Sequence, residues 1–329
     1  MLRSMYSGIS GLKNFQTKLD VIGNNIANVN TYGFKKERTI FKDLISQTQS
    51  GASGPSAARG GVNAIQVGLG SQLAAIDTVH NPGSMQTTGR GLDLAISGDG
   101  FFMVADSAAE EAPTPEDMED LTANPLIGAG FTNTQYTRAG NFYMDKFGYV
   151  VNGDGKYLVG VPNDTLYAEV DPDATSESDA DRADASQGTD NLYVDGEITP
   201  ENGEVAPLRI PTNAQSMSIG QDGSVYYVDV NGKLQFAGQA LLAKFPNASG
   251  LEKTGSNYFQ MTANSGDPLV QAGTQAGIGS VNAGFLEMSN VDLSEEFTEM
   301  IVAQRGFQSN SRIITTSDEI LQELVNLKR

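Results

Sequence analysis

The stretch MLRSMYSGISGLKNFQTKLDVIGNNIANV, residues 1–29, decides the fold class, because its apolar side chains return every three or four positions. Met5, Ile9, Leu12, Phe15, Leu19, Ile22, Ile26 and Val29 make one stripe of an amphipathic helix. The far end of the chain carries a second stripe, Leu293, Phe297, Met300, Phe307, Ile314, Leu321 and Leu324, with Gln304 and Ser311 filling two positions of the same seam. Ser294 followed by Glu295, Glu296 and Glu299 puts acids near a helix start, where the macrodipole favours them, and Lys328 and Arg329 stand at the end. Each stripe is about 40 to 50 Å long at a rise of 1.5 Å per residue, and each needs a partner. One expectation is a two-helix hairpin within the chain. It is a thin rod, and Gly8, Gly11 and Gly23 each cost the first helix about 1 kcal/mol relative to Ala. The sharper expectation is that the helices are weakly ordered in the monomer and gain their packing from neighbouring copies, so that folding and assembly are one step, in head-to-tail contacts that build an open filament with the two ends paired as an inner coiled coil.

Working inward from the helices, the pattern changes to short strands. FFMV at 101–104, NFYM at 141–144, YVV at 149–151, SVYYVDV at 224–230 and KLQFAGQALLAKF at 233–245 alternate or are rich in β-formers. Asn152-Gly153, Asp154-Gly155, Asp222-Gly223 and Asn231-Gly232 supply the positive φ that tight hairpins need. Gly-rich stretches at 51–70 and 272–284 read as irregular connections around this β domain. Helices of ten or more residues do not alternate with the strands, so the pattern is α+β, with a mostly antiparallel middle, and not a βαβ nucleotide fold.

Composition narrows the chemistry. The 329 residues have no Cys and one His, His80, which leaves no thiol nucleophile, thiolate metal site or His cluster. Net charge is −19, which opposes binding to nucleic acid or to an anionic membrane. The charge is uneven: residues 105–205 hold 22 acidic and 4 basic side chains, whereas residues 1–50 hold 7 basic and 3 acidic. The acidic stretches 106–130 and 163–205 therefore read as insertions exposed to water. Asp179, Asp181 and Asp184 lack the Gly and closing Glu of a calcium loop. Gly68, Gly70, Gly89 and Gly91 do not complete a phosphate-binding or dinucleotide pattern, so no cofactor or metal is expected. The acids also cluster in low-complexity sequence and do not flank an apolar pocket, which argues against a two-carboxylate hydrolase. No run approaches the roughly 18 to 20 apolar residues of a membrane span, and the N-terminus lacks the compact apolar core of a signal peptide. QRGFQSNSRIITT at 304–316 is dense in uncharged polar groups, which suits either hydrogen bonding between helices or the wall of a channel.

The stretch DVIGNNIANVNTYGFKKERTIF at 20–41 closely resembles the signature of the rod and hook proteins of the bacterial flagellum, and the whole chain resembles those of Gram-positive bacteria. MLRSMYSGISGL at the start, QTTGRGLDLAISGDGFFMV at 86–104, YTRAGNFYMDKFGYVVNGDGKYLVG at 136–160 and SNVDLSEEFTEMIVAQRGFQSNSRIITTSDEILQELVNL at 289–327 carry the resemblance further. Within the signature, Asn25, Asn28, Asn30, Gly33 and Phe34 mark the turn out of the helix; Asn28, Asn30 and Gly33 are expected to take left-handed backbone, as caps and not ligand sites. The resemblance implies residues 1–32 and 288–329 as an inner helical domain facing a channel. It implies 33–105, 131–162 and 206–287 as a β-rich middle domain, with the acidic insertions outermost. It implies a structural subunit, not an enzyme, that polymerises with itself into the curved flagellar hook, a universal joint between rod and filament. The distal rod protein of the basal body is the alternative. Rod, hook-cap and hook-filament junction proteins would be its partners. Export would run through the flagellar type III apparatus, with Phe41 and Ile45 resembling its recognition pattern. The location implied is the extracellular hook or the basal body, without membrane insertion.

Overall fold

The computed structural model describes residues 2–55, 59–108, 130–162, 193–194, 197–198 and 205–327. The chain divides into two compact units. A helical unit comprises Met1–Val29, Lys35–Val79 and Val291–Arg329, and a sheet unit comprises Asn30–Phe34 and His80–Asn290.

In the helical unit, α1 runs Leu2–Ala27 and α2 runs Leu293–Asn326. Asp292 caps α2: its Oδ1 accepts from the backbone N–H of Ser294 at 2.8 Å and of Glu295 at 3.4 Å. Between the helices lies a long antiparallel ribbon. Its first part is β1, Glu37–Asp43, paired with β4, Ser71–Thr78, in the register Glu37↔Thr78 to Asp43↔Ser71 with an irregularity at Ile40/Phe41. Its second part is β2, Ser46–Ser50, paired with β3, Ile65–Gly68. The stretch 51–70, expected to be irregular, thus contains a strand. Residues 35–79 fall with the helices and not with the β-rich middle to which the resemblance assigns them. The reason is local: Asn14 on α1 donates through Nδ2 to Ser71 Oγ at 2.9 Å, and the Asn25 amide brackets the main chain of Glu37.

The sheet unit is antiparallel in every described pairing. The strand β7, Phe101–Ser107, lies inside its main sheet, with β8, Phe131–Thr137, on one side and Tyr157–Pro162 on the other. Beyond Tyr157–Pro162 come Leu234–Ala240, Ser224–Val228 and Ser216–Ile219; beyond β8 come Tyr258–Gln260 and Glu252–Gly255. Three smaller pairs accompany it, one of them Tyr193–Val194 with Glu197–Ile198. The strand β5, Met85–Thr87, pairs with Phe285–Glu287, and β6, Leu94–Ser97, pairs with Ser280–Ala283, inside a Gly-rich stretch expected to be irregular.

The run FFMVA is apolar on both faces because β7 is covered on both. Phe102 and Val104 point into a core with Ile96, Phe142, Leu158 and Leu242, while Phe101, Met103 and Ala105 join Tyr136, Phe245 and Phe259 on the other side. Tyr136 meets Phe245 edge-on at 4.7 Å between centroids, and Phe102 meets Phe142 at 5.4 Å. The Arg138 guanidinium and the Glu287 carboxylate are buried here as a pair 3.3 Å apart. Both are further satisfied: Arg138 Nη2 donates to Gly98 O at 2.7 Å, and Glu287 Oε1 accepts from Gly83 N at 2.9 Å. Of the expected hairpin glycines, Gly155, Gly223 and Gly232 have positive φ and Gly153 does not. In that turn Asn152 Oδ1 takes the backbone N–H groups of Asp154 and Lys156, which folds the loop so that only Gly155 needs the left-handed region. The acidic stretches, with the calcium reading at Asp179, Asp181 and Asp184, lie almost wholly outside the described residues. Among the described residues no helix is long and apolar enough to cross a membrane.

Candidate assembly surface

The helices α1 and α2 pack antiparallel, and the contacts show the register. A Cβ at Gly8 would meet Ile314, one at Gly11 would meet Asn310, and one at Gly306 would stand 2.6 Å from the Phe15 ring. Lys18 pairs with Glu299, and Asn25 Nδ2 donates to Glu296 Oε2 at 3.2 Å. Glycines that weaken an isolated helix therefore stand where the second helix approaches. Gly8 and Gly11 admit the side chains of α2, and Gly306 admits the ring of Phe15. Gly23 has open space around it and remains a plain weakness of α1.

In this register the contact between the two helices does not run along the whole of the expected stripes. On α2 the buried residues are Glu296, Ala303 and Ser317, with Met300, Gly306, Asn310, Ile314 and Leu321 half-buried. Leu293, Phe297, Phe307 and Leu324 are exposed, Phe297 at 50%. So are Gln304 and Ser311. On α1, Ile22 is buried, Met5, Leu12, Phe15, Leu19 and Ile26 are half-buried, and Ile9 is exposed. Hydrophobic periodicity marks the widest apolar arc, whereas the pair of helices closes along the narrowest side chains, where backbones can approach. The arc is left bare. With Ile301, Val302, Ile313, Ile320 and Val325 also exposed, α2 presents a broad apolar surface to solvent, joined on α1 by Tyr6 and Ile9.

The signature residues part company. Asn25 is 1% exposed and joins three segments: its Nδ2 donates to Glu37 O at 2.8 Å and to Glu296, and its Oδ1 accepts from Glu37 N at 3.0 Å. Its side chain thus stands in for a strand partner, a role the sequence alone does not display. Asn28 continues the last helical turn, its Nδ2 donating to Asn24 O at 2.9 Å. Neither Asn28 nor Asn30 has the positive φ expected of it; the left-handed turn falls to Gly33, at φ 70°. There the N–H donates to Glu287 O at 2.8 Å, and a Cβ would stand 2.5 Å from Ala139 N, so a side chain is excluded by backbone as well as by conformation. Phe34 is buried with the Lys253 ammonium 5.0 Å from its ring. Phe41 is half-buried in β1, and Ile45, at 78% exposure, stands between β1 and β2.

Electrostatically, Glu296 is the notable group of the helical unit. Burial pushes its carboxyl above the usual range, against the Asn25 hydrogen bond and Lys36, with Glu295 and Glu299 adding to the rise. Among the described residues no group of carboxylates and His could hold a metal ion.

The same segments are the ones that known families recognise. The model "Flagella basal body rod protein" matches residues 5–35, "Flagellar hook protein FlgE/F/G D1 domain" matches 128–227, and "Flagellar basal body rod FlgEFG protein C-terminal" matches 282–327. A relative from Bacillus subtilis (strain 168), "Flagellar basal-body rod protein FlgG", is 49% identical over 332 residues, with 100% of each chain covered. This chain belongs to the flagellar rod and hook family. Borreliella burgdorferi supplies one relative of each kind. Its "Flagellar hook protein FlgE" is 34% identical over 442 residues, and its "Flagellar basal-body rod protein FlgG" is 32% identical over 331 residues, each with 100% of both chains covered. The Bacillus match accords with a family member of Gram-positive type. The chain is a structural subunit of the flagellar rod or hook, located in the flagellum, and the names of its relatives point away from an enzyme.

Proposed function

We propose that this chain is the subunit of the flagellar hook, polymerising with itself into a curved tube that acts as a universal joint between rod and filament. One observation carries the choice of hook over rod. Where one organism supplies both relatives, the hook protein is the more similar, at 34% against 32%, although its alignment spans 442 residues against 331. The distal rod is the second reading, favoured by the 49% identity to a protein named for the rod.

In this reading the exposed apolar face of α2 packs on α1 and α2 of neighbouring copies, so that the inner helical domain becomes a coiled-coil tube around a channel. Moving a large apolar side chain from half-exposed to buried contributes about 1 kcal/mol, and nine such residues on α2 make assembly strongly favourable. Gln308 and Ser309, both exposed, face the channel, and the β-rich middle and acidic insertions lie outside it. Exposed charge pairs are worth about 0 to 1 kcal/mol each, which suits outer contacts that are remade at every turn of the joint. The subunit leaves the cell through the flagellar type III apparatus, recognised at Phe41 and Ile45, and contacts rod, hook-cap and hook-filament junction proteins. Electron microscopy of flagella carrying a small tag within residues 171–190 tests the reading. Label along the curved hook supports it, and label confined to the straight rod overturns it in favour of the second.

A further inference from the structure

Glu296 is the one buried carboxylate among the described residues of the helical unit, at 6% exposure. It stands in the first turn of α2, and its side-chain partner is a neutral amide, Asn25 Nδ2, which also donates to Glu37 O. The cations nearby are engaged elsewhere: Lys36 Nζ lies 2.8 Å from Glu295 Oε2, and Lys18 pairs with Glu299. The charged groups around it are therefore Lys18 on α1, Lys36 and the half-buried Glu37 at the start of β1, and Asp292, Glu295 and Glu299 around the start of α2. Arg38 and Asp77, paired across β1 and β4, are neutral as a couple. A buried carboxylate with one shared amide donor, and with Glu295 and Glu299 opposing its charge, is held against its solvation.

We propose that Glu296 is a proton-operated clasp: uptake of one proton by its carboxyl tightens the first turn of α2 on α1 and β1, so that the helical unit is firmer in mildly acidic than in alkaline surroundings. Neutralised, the group loses its repulsion from Glu295 and Glu299 and gains an O–H beside the Asn25 amide, whose Oδ1 has a second lone pair. The sign follows from linkage. A carboxyl that holds its proton more tightly in the folded state than in the unfolded state binds more protons on folding, so stability rises as pH falls into the window between the unfolded and folded values. The proposal concerns α1, β1 and α2 alone and does not depend on the choice between hook and rod.

Hydrogen exchange of the full chain, read by mass spectrometry on peptides spanning residues 293–303 at pH 5 and pH 8 and corrected for intrinsic exchange, tests it. Greater protection at pH 5 than at pH 8 is expected in the wild type. In Glu296→Gln the difference should vanish, with protection at both pH values close to that of the wild type at pH 5. A pH difference that persists in Glu296→Gln overturns the proposal, as does a wild type more protected at pH 8. Titration of the Glu side-chain carbonyls of the unmutated chain by carbon NMR keeps the idea testable if the variant folds poorly. One resonance titrating above the others is expected, and its absence refutes the clasp.

Discussion

The two units solve the problem of burying apolar surface in opposite ways. In the sheet unit the large side chains are inside: Phe102, Phe142, Leu158, Leu242 and Ile96 are buried, and β7 has core on both faces. In the helical unit the contact between α1 and α2 is built from Gly8, Gly11, Gly306, Ala303, Ser317 and Asn310, while Phe297, Ile301, Phe307 and Leu324 face solvent. The sheet unit has the core of an independent domain. The helical unit has the close backbone approach of a pair within a larger bundle, and its missing apolar contacts are those a neighbour would supply.

Removing residues 1–29 and 291–329 together should have the largest effect, abolishing polymers visible by electron microscopy while leaving a cooperative β melt by circular dichroism. Filaments from this truncation would break the comparison at its root. Next in size, Phe102→Ala should destabilise the sheet unit by about 3 to 5 kcal/mol in urea unfolding, since the ring is fully buried. By contrast Phe297→Ser should leave monomer stability within about 0.5 kcal/mol, as an exposed substitution does, yet raise the concentration needed for polymerisation in sedimentation assays. A smaller contrast lies within the helices. Gly306→Ala should destabilise the pair by about 1 to 3 kcal/mol through the Phe15 ring, and Gly23→Ala should stabilise α1 by up to about 1 kcal/mol, both read from helical ellipticity on heating. Smallest of all is a pH effect of opposite sign to that of Glu296. The Lys156 hydrogen bond holds the Asp106 carboxyl below its usual range, so the stability it gives the sheet unit is present at neutral pH and lost as pH falls through the lowered value. Lys156→Met should flatten the acid limb of the sheet unit's stability curve.

Element existence was legible in the sequence where the period was long and regular, as in α1 and α2, or where a run was apolar on both faces, as in β7. The phase of the helical seams was not. Periodicity weights Leu, Phe and Ile, whereas the intramolecular contact is set by how closely backbones approach, which Gly306 and Ala303 decide. Gly8 and Gly11, which stand against Ile314 and Asn310, and Gly306, which receives Phe15, are a signal that could have been read as complementarity and not as weakness. Asn25 and Glu296 were hidden for another reason. They lie 271 residues apart, and a hydrogen bond at that distance leaves no local pattern. Asn28 and Asn30 show the reverse error, in which a residue type that tolerates left-handed backbone was expected to use it, although Gly33 alone carries the turn.

The pairing of α1 with α2 also sets an order of events. Its halves flank the sheet unit in the sequence, so the pair cannot form until the intervening sheet unit has been made. Closing contacts so distant in sequence is slow compared with folding the hairpins between them. A chain cut short by failed synthesis or proteolysis can complete its sheets yet never bring α2 to α1. Possession of both helices thus becomes a test of the paired unit, applied by topology before any neighbour is met.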